Sequence, residues 1–393
     1  MRINGRVVTP SGIVDGYVEI TGDRITAVTG SPGTQSPGSA GPGQAGPPWI
    51  LPGFVDIHVH GGGGHTFTTG DPDEARAAAA FHLRHGTTTM LASLVSSPVE
   101  LMRQATEAFA PLVAAGVIAG IHFEGPYLST VRCGAQNPAY LRDPDPDELA
   151  GLLALGAGAV RMVTLAPERA GALDAVRLLR EHGVVAAVGH TDASYEQTLA
   201  AVAAGASVGT HVFNGMRPPH HRDPGPVFAL LGAPEVVCEF VADGVHLHDG
   251  TLAFATTVTG PRRAALVTDA IAATGMPDGE YELGGQPVVV ASGTARLATA
   301  DGSPGSIAGS TLTMDAALRR AVDAGVSIVD AAAMAATTPA RAIGLAGSVG
   351  ALVPGLRADL VVLGTDLRVR RVMRAGAWVA DSEPAGADPE PAG

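Results

Sequence analysis

From residue 50 onward one pattern recurs eight times, a short apolar run followed by an Ala- and Leu-rich stretch, and this repetition limits the fold more than any other feature. The apolar runs cover 54–58, 87–92, 117–123, 160–165, 184–188, 207–211, 236–241 and 265–268. Helical patterns separate most of them, as in PDEARAAAAFHLRHG, SPVELMRQATEAFAPLVAAG and ERAGALDAVRLLREHG. Each of these closes on a Gly, the residue that most easily takes the left-handed turn ending a helix. Parallel strands need long crossovers and a helix provides one, so eight strand–helix units predict an α/β fold, a (β/α)8 TIM-like barrel, over residues 51–345.

The flanks read differently. In residues 1–30, Val18, Ile20, Ile25 and Val28 fall between polar neighbours, the period of a half-buried antiparallel sheet. Residues 346–380 return to short alternating strands with Pro-Gly and Ala-Gly turns. Segments 1–50 and 346–380 are therefore expected to join in one small discontinuous β-sandwich domain, which a chain of 393 residues has length to carry beside a barrel. Between them, 31–48 is Gly-, Pro- and Ser-rich with no apolar period and predicts a flexible loop, and 381–393 predicts a disordered acidic tail.

The formal net charge of −13 argues against nucleic-acid or anionic-membrane partners, whose phosphates are held by clustered cations. Two distant cysteines, Cys133 and Cys238, offer no disulfide framework, and Cys238 in VVCEF reads as a buried structural thiol. No run of about eighteen apolar residues and no leader-like N-terminal core occurs, so a soluble cytoplasmic protein is expected.

Candidate chemistry gathers where the apolar runs end. His58 and His60 lie in PGFVDIHVHGGGG, and strand alternation turns residues two apart to the same side, so both imidazoles can meet one cation. Glu124 in HFEGP, His190 in VGHTDA, His211 in THVFNGM and Asp269 in LVTDA end later runs, on the face where barrel enzymes keep their catalytic groups. Singly, Glu124 also fits a buried ion pair, His190 a capping neighbour, His211 a core histidine and Asp269 a helix cap. Their joint placement on runs one, three, five, six and eight points instead to a metal-dependent hydrolase.

The ordered set PGFVDIHVHGGGG, HFEGPYL, TLAPE, VGHTDA, THVFNGM, DGVHL, LVTDA and AGSTLTM resembles the N-acetylglucosamine-6-phosphate deacetylase family of the amidohydrolase superfamily, across essentially the whole chain. The resemblance implies hydrolysis of the acetamide of N-acetyl-D-glucosamine 6-phosphate, in amino-sugar catabolism and cell-wall recycling. It implies that Glu124, His190 and His211 hold a principal metal. It further implies that His58, His60 and Asp269 build a second position, as in members that retain HxH, with one or two zinc or iron ions per subunit. Asp269 would be the catalytic acid–base. His246 would contact the sugar and Asn214 with Gly215 the phosphate, and Arg222, supplied by a neighbouring subunit, would complete the phosphate site of a homodimer. Gln136 stands where other members carry a histidine beside the substrate amide, which keeps a hydrogen-bond donor and removes a titratable one.

Other readings stay open on sequence alone. Arg217, His220, His221 and Arg222 also suit a solvated loop, and Cys133 an exposed non-catalytic thiol. The scaffold could serve another amidohydrolase reaction, on an N-acyl amino acid or a cyclic amide, which would have little use for Asn214, Arg222 and His246. A non-catalytic scaffold would have no need of so many convergent titratable groups.

Overall fold

The computed structural model describes residues 1–33 and 46–380. The 381–393 tail and most of the 31–48 loop (34–45) lie outside the described residues, and Ser31 and Pro32 belong to the strand Arg24–Pro32.

Eight parallel strands form one sheet in chain order: Phe54–Asp56, Thr87–Leu94, Gly120–Glu124, Val160–Leu165, Val185–Val188, Val208–Gly209, Val237–Val241 and Ala264–Val267. The first and eighth meet through Asp269 N donating to His58 O at 2.8 Å and His60 N donating to Ala270 O at 2.8 Å, which closes the cylinder. A helix follows every strand, from Pro72–Arg84 after the first to Met314–Asp323 after the eighth. The expected (β/α)8 barrel with a separate sheet domain is borne out. Its core is built of small and branched side chains, among them Leu91, Ile121, Val163, Ala187 and Leu266, all fully buried.

Caps stated in the sequence end and start these helices. Asp71 accepts from the main-chain N–H groups of Asp73 and Glu74 ahead of Pro72, and Gly86, two residues beyond the helix, has φ +93°. The third helix starts the same way on Asp145, and Ser194 with Gln197 forms a capping box on the fifth.

Seven strands from both ends of the chain make the second sheet, in the order Ala377–Trp378, Val369–Arg374, Leu360–Leu363, Trp49–Pro52, Arg2–Thr9, Gly12–Thr21, Arg24–Pro32. Alternation gives it two buried faces. Val8, Leu51, Val361 and Val372 pack into the barrel core, while their neighbours Val7, Ile50, Leu360 and Met373 join Val18 and Ile25 in a separate core. Trp49–Pro52 is the hinge of the design, because it pairs with both chain ends and leads two residues later into the first barrel strand.

A third sheet, absent from the sequence reading, interrupts the chain between the eighth strand and its helix. Its strands Gly279–Leu283, Gln286–Ala291 and Thr294–Leu297 form two hairpins over a small core of Val95, Ile271, Leu283, Val288, Val290 and Ala308. Cys238 is buried, its Sγ 3.6 Å from Leu230 O, and burial pushes its thiol up to about 12.

Candidate metal centre

The six candidate ligands stand at the C-terminal mouth of the barrel, on or just beyond their strands. Glu124 is the last residue of its strand, while His190, His211 and Asp269 each come two residues after theirs. The first strand ends at Asp56, so His58 and His60 lie beyond it rather than within it. There the main chain leaves the ladder, and the Asp56 carboxylate takes over as acceptor for the N–H groups of His58 and Thr268 at 3.2 and 3.3 Å. Three of the six have left-handed backbone, with φ +46° at His190, +27° at His211 and +51° at Asp269. Non-glycine residues carry that strain only where the surroundings enforce it, most often at functional sites.

Their side chains converge. Glu124 Oε1 lies 2.9 Å from His190 Nε2, 3.0 Å from His211 Nε2 and 3.5 Å from His58 Nε2. Glu124 Oε2 and Asp269 Oδ1 each lie 3.3 Å from His60 Nε2, and Asp269 Oδ1 lies 3.7 Å from His58 Nε2. Two sets have donor atoms close enough for one ion, His58–His60–Asp269 and His58–Glu124–His211.

The hydrogen bonds behind these rings say what the centre is built to hold. Nδ1 of His58, His60 and His190 faces Glu239 Oε2 at 3.0 Å, Ser93 O at 3.1 Å and Arg132 O at 2.9 Å. Three acceptors fix the proton on Nδ1 and leave a lone pair on each Nε2. Yet the Nε2 atoms of His58 and His60 are 3.2 Å apart, and those of His190 and His211 3.1 Å apart. Between His58 and His60, both with the proton fixed on Nδ1, lone pairs so close repel unless a cation lies between them, and the nitrogen and carboxylate donors fit a divalent ion.

The charges agree. Burial favours neutral imidazole, yet the Asp269 and Glu124 carboxylates raise His60 to about 9. Burial likewise opposes ionisation of Glu124, but the charges of His58 and His190 hold its carboxyl well below the usual range. Groups that draw a proton onto His60 draw a divalent cation in its place, so metal uptake releases protons. Below the centre His122 is held neutral by burial, bonded to Ser93 Oγ at 2.9 Å and Thr164 Oγ1 at 2.8 Å.

Above the centre opens a cavity of about 370 Å³, within the range of small-molecule sites. Gln136, Asn214, Gly215 and His246 line it with five of the six candidate ligands. Gln136 Nε2 donates to Glu124 Oε2 at 2.6 Å while its Oε1 accepts from Ser96 N at 2.7 Å, so its amide donor is aimed at a candidate metal ligand. His246 Nδ1 bonds Asp243 Oδ2 at 2.7 Å and turns Nε2 toward Asp269 Oδ2 at 3.7 Å. Arg222 does not line the cavity of its own chain; it is exposed, with Nη1 on His221 Nε2 at 2.8 Å. Cys133 is half-buried on the loop that carries Gln136.

Three contributors escaped the sequence reading. Glu239 lies under His58 and had a signal, as the one carboxylate in an apolar strand. Asp243, which orients His246, had a weaker one in the DGVHL motif. Arg296, whose Nη1 donates to Gly305 O at 3.0 Å, lines the cavity from the third sheet and had none.

The sequence profile of the amidohydrolase family matches residues 49–379. The chain is 36% identical over 333 residues to the N-acetylglucosamine-6-phosphate deacetylase of Lysinibacillus sphaericus, covering 84% of each protein. It is 37% identical over 332 residues to the N-acetylgalactosamine-6-phosphate deacetylase of Escherichia coli O157:H7, covering 83% of this chain and 86% of that one. Among solved structures, a mutant N-acetyl-D-glucosamine-6-phosphate deacetylase from Mycobacterium smegmatis, in complex with N-acetyl-D-glucosamine-6-phosphate, superposes with a TM-score of 0.89 at 47% identity, covering 95% of this chain and 97% of that one.

Proposed function

The chain belongs to the amidohydrolase family, and from that premise we propose that it hydrolyses the acetamide of N-acetyl-D-glucosamine 6-phosphate to D-glucosamine 6-phosphate and acetate. The observation that carries this reading is the convergence of His58, His60, Glu124, His190, His211 and Asp269 at the floor of a cavity whose walls include His246, Asn214 and Gly215. The relatives at 36% and 47% identity, both named for this reaction, support it.

Glu124, His190 and His211 would hold one divalent ion and His58, His60 and Asp269 a second, zinc or iron by the nitrogen-rich donor set. Such an ion supplies Lewis acidity toward the acetamide carbonyl and makes water a better nucleophile near neutral pH. Asp269 carries the proton. Burial opposes its ionisation, but His60 and His58 beside it hold its carboxyl below the usual range, so it stands as the carboxylate that a proton acceptor must be. It takes a proton from the attacking water as the new C–O bond forms and delivers it to the sugar nitrogen as the C–N bond breaks, so acetate keeps the water's oxygen. Gln136, a neutral donor, stands on the acetamide side, and His246 Nε2 is offered to a sugar hydroxyl.

Asn214 and Gly215 meet the phosphate, with Arg222 from a second copy of the chain closing over it, since a guanidinium fork suits phosphate oxygens. A homodimer follows from that arrangement. The reading puts the reaction in the cytoplasm, where a dianionic sugar phosphate, unable to cross a bilayer unaided, would be retained. Among the described residues no helix is long and apolar enough to span a membrane.

Acetate release by metal-loaded protein tests the reading, with the 6-phosphates of N-acetylglucosamine and N-acetylgalactosamine and unphosphorylated N-acetylglucosamine compared side by side. Fast release from the glucosamine phosphate, little from the free sugar, and a loss of kcat of at least about a hundredfold in Asp269→Asn are expected. A preference for the galactosamine phosphate would move the assignment to its epimer, and no release from any of the three would remove it.

A further inference from the structure

Glu239 is fully buried in the middle of the seventh barrel strand, Val237–Val241, whose other residues are Val237, Cys238, Phe240 and Val241. A carboxylate there is costly unless its partners compensate, and compensation is incomplete: among the described residues Oε1 has no hydrogen-bond partner. Oε2 does all the bonding. It accepts from His58 Nδ1 at 3.0 Å and from the main-chain N–H of His211 at 3.2 Å. One oxygen thus holds the ring of one candidate ligand and the left-handed backbone, φ +27°, of another.

We infer that Glu239 is a positioning residue that couples the two metal positions, fixing the His58 ring of the second and the His211 main chain of the principal one. The inference rests on the proposed reading of His58 and His211 as metal ligands. With its proton held on Nδ1 by Glu239, His58 presents Nε2 at 3.5 Å from Glu124 Oε1 and 3.7 Å from Asp269 Oδ1, the one ring shared by both candidate sets. A carboxylate acceptor behind a ligating imidazole sets ring angle and tautomer, and its loss weakens metal binding by about 10- to 100-fold. An apolar or amide side chain at 239 would remove a buried charge with an unpartnered oxygen, so a requirement other than stability accounts for the glutamate.

Glu239→Gln keeps the shape and removes the charge, whereas Glu239→Asp keeps the charge and draws the acceptor away from His58. Metal affinity measured by chelator competition, metal content after dialysis, and melting temperature with and without metal would be compared for both variants, His58→Ala and the unmutated protein. Both Glu239 variants are expected to bind metal about 10- to 100-fold more weakly, with Glu239→Gln melting no lower than the unmutated protein when metal-free. Unmutated metal affinity in either variant overturns the inference. So does a metal-free Glu239→Gln that melts lower while gaining as much on metal addition as the unmutated protein, since that is a purely structural role. If His58→Ala binds metal as tightly as the unmutated protein, the ligand reading itself has failed. If His58→Ala binds weakly and the Glu239 variants bind normally, the coupling alone has failed.

Discussion

Gly215 shows how closely one residue constrains the centre. Its φ is +59°, and a Cβ built on it would lie 2.7 Å from His190 Nδ1, the atom that donates to Arg132 O. An alanine there would both strain the backbone, by about 1 kcal/mol or more, and push the His190 ring off Glu124. Gly215→Ala is therefore expected to lose metal from the Glu124–His190–His211 position while remaining folded, as metal analysis beside circular dichroism would reveal; full metal content would contradict it. Legibility at this scale followed chemistry. His58, His60, Glu124, His190, His211 and Asp269 stood out as polar residues at the ends of apolar runs, and Gly215 came only through family resemblance. Glu239 was passed over although it interrupts an apolar strand, because that irregularity names no role until the ring above it is known.

Among the elements, the three-stranded excursion after the eighth strand does most to shape the cavity. Leu283, Arg296, Ser306, Ile307 and Gly309 line it from this segment, and Gln286 Nε2 bonds Ala135 O at 2.5 Å, tying the sheet to the loop that carries Gln136. Its signal was present in the sequence. Leu283 pairs with Gln286 across Gly284-Gly285, and Ala291 with Thr294 across Ser292-Gly293, with all four turn residues at positive φ. Such two-residue turns mark hairpins, but between a barrel strand and its helix the eight-unit period masked them. The return of this segment passes behind Asp269, the proposed proton carrier. Gly309 has φ +60°, and a Cβ on it would lie 2.7 Å from Asp269 O, while Ser310 N donates to that oxygen at 2.7 Å. Gly309→Ala should displace Asp269 and lower kcat by about 10- to 100-fold, given how steeply rate falls with misplacement, and change KM much less. Steady-state kinetics would decide, and an unchanged kcat would show that Asp269 tolerates the shift.

For the molecule as a whole, pH acts on stability through His82, buried in the first helix with Nε2 on Gly61 O at 2.8 Å and, among the described residues, no partner for Nδ1. Burial pushes its pKa down to about 4, against about 6.5 in an unfolded chain. Between those values the unfolded chain binds a proton that the folded one refuses. Stability from this group is thus complete above about pH 6.5 and falls as pH drops toward 4, by about 3 kcal/mol at most. His82→Gln should flatten that part of the melting-temperature profile, and a profile parallel to the unmutated one would rule this source out. Assembly gives a second test at the same scale. If Arg222 works across subunits, Asp269→Asn and Arg222→Ala chains, each defective alone, should regain activity when mixed, up to about a quarter of the unmutated level for random pairing of two-fold dimers. No gain on mixing, with exchange shown by native mass spectrometry, would confine Arg222 to its own chain or to no role.

What the sequence determined by itself was periodic and local. Eight apolar runs at helix-length intervals left a barrel as the way to bury them all, and the polar residues closing those runs marked the face where candidate chemistry gathers. Tertiary structure alone decided which of these groups meet. Glu124 and His211 are 87 residues apart and touch at 3.0 Å, and His58 and Glu239 are 181 residues apart and touch at 3.0 Å. A strand's pattern states which residues face inward but not the stagger and closure of the cylinder, and those set which inward residues lie at the same height. The cavity's roof was likewise invisible until the excursion folded back over the barrel mouth, because its place depends on the small core shared by Val95, Ile271 and Leu283 rather than on any local signal.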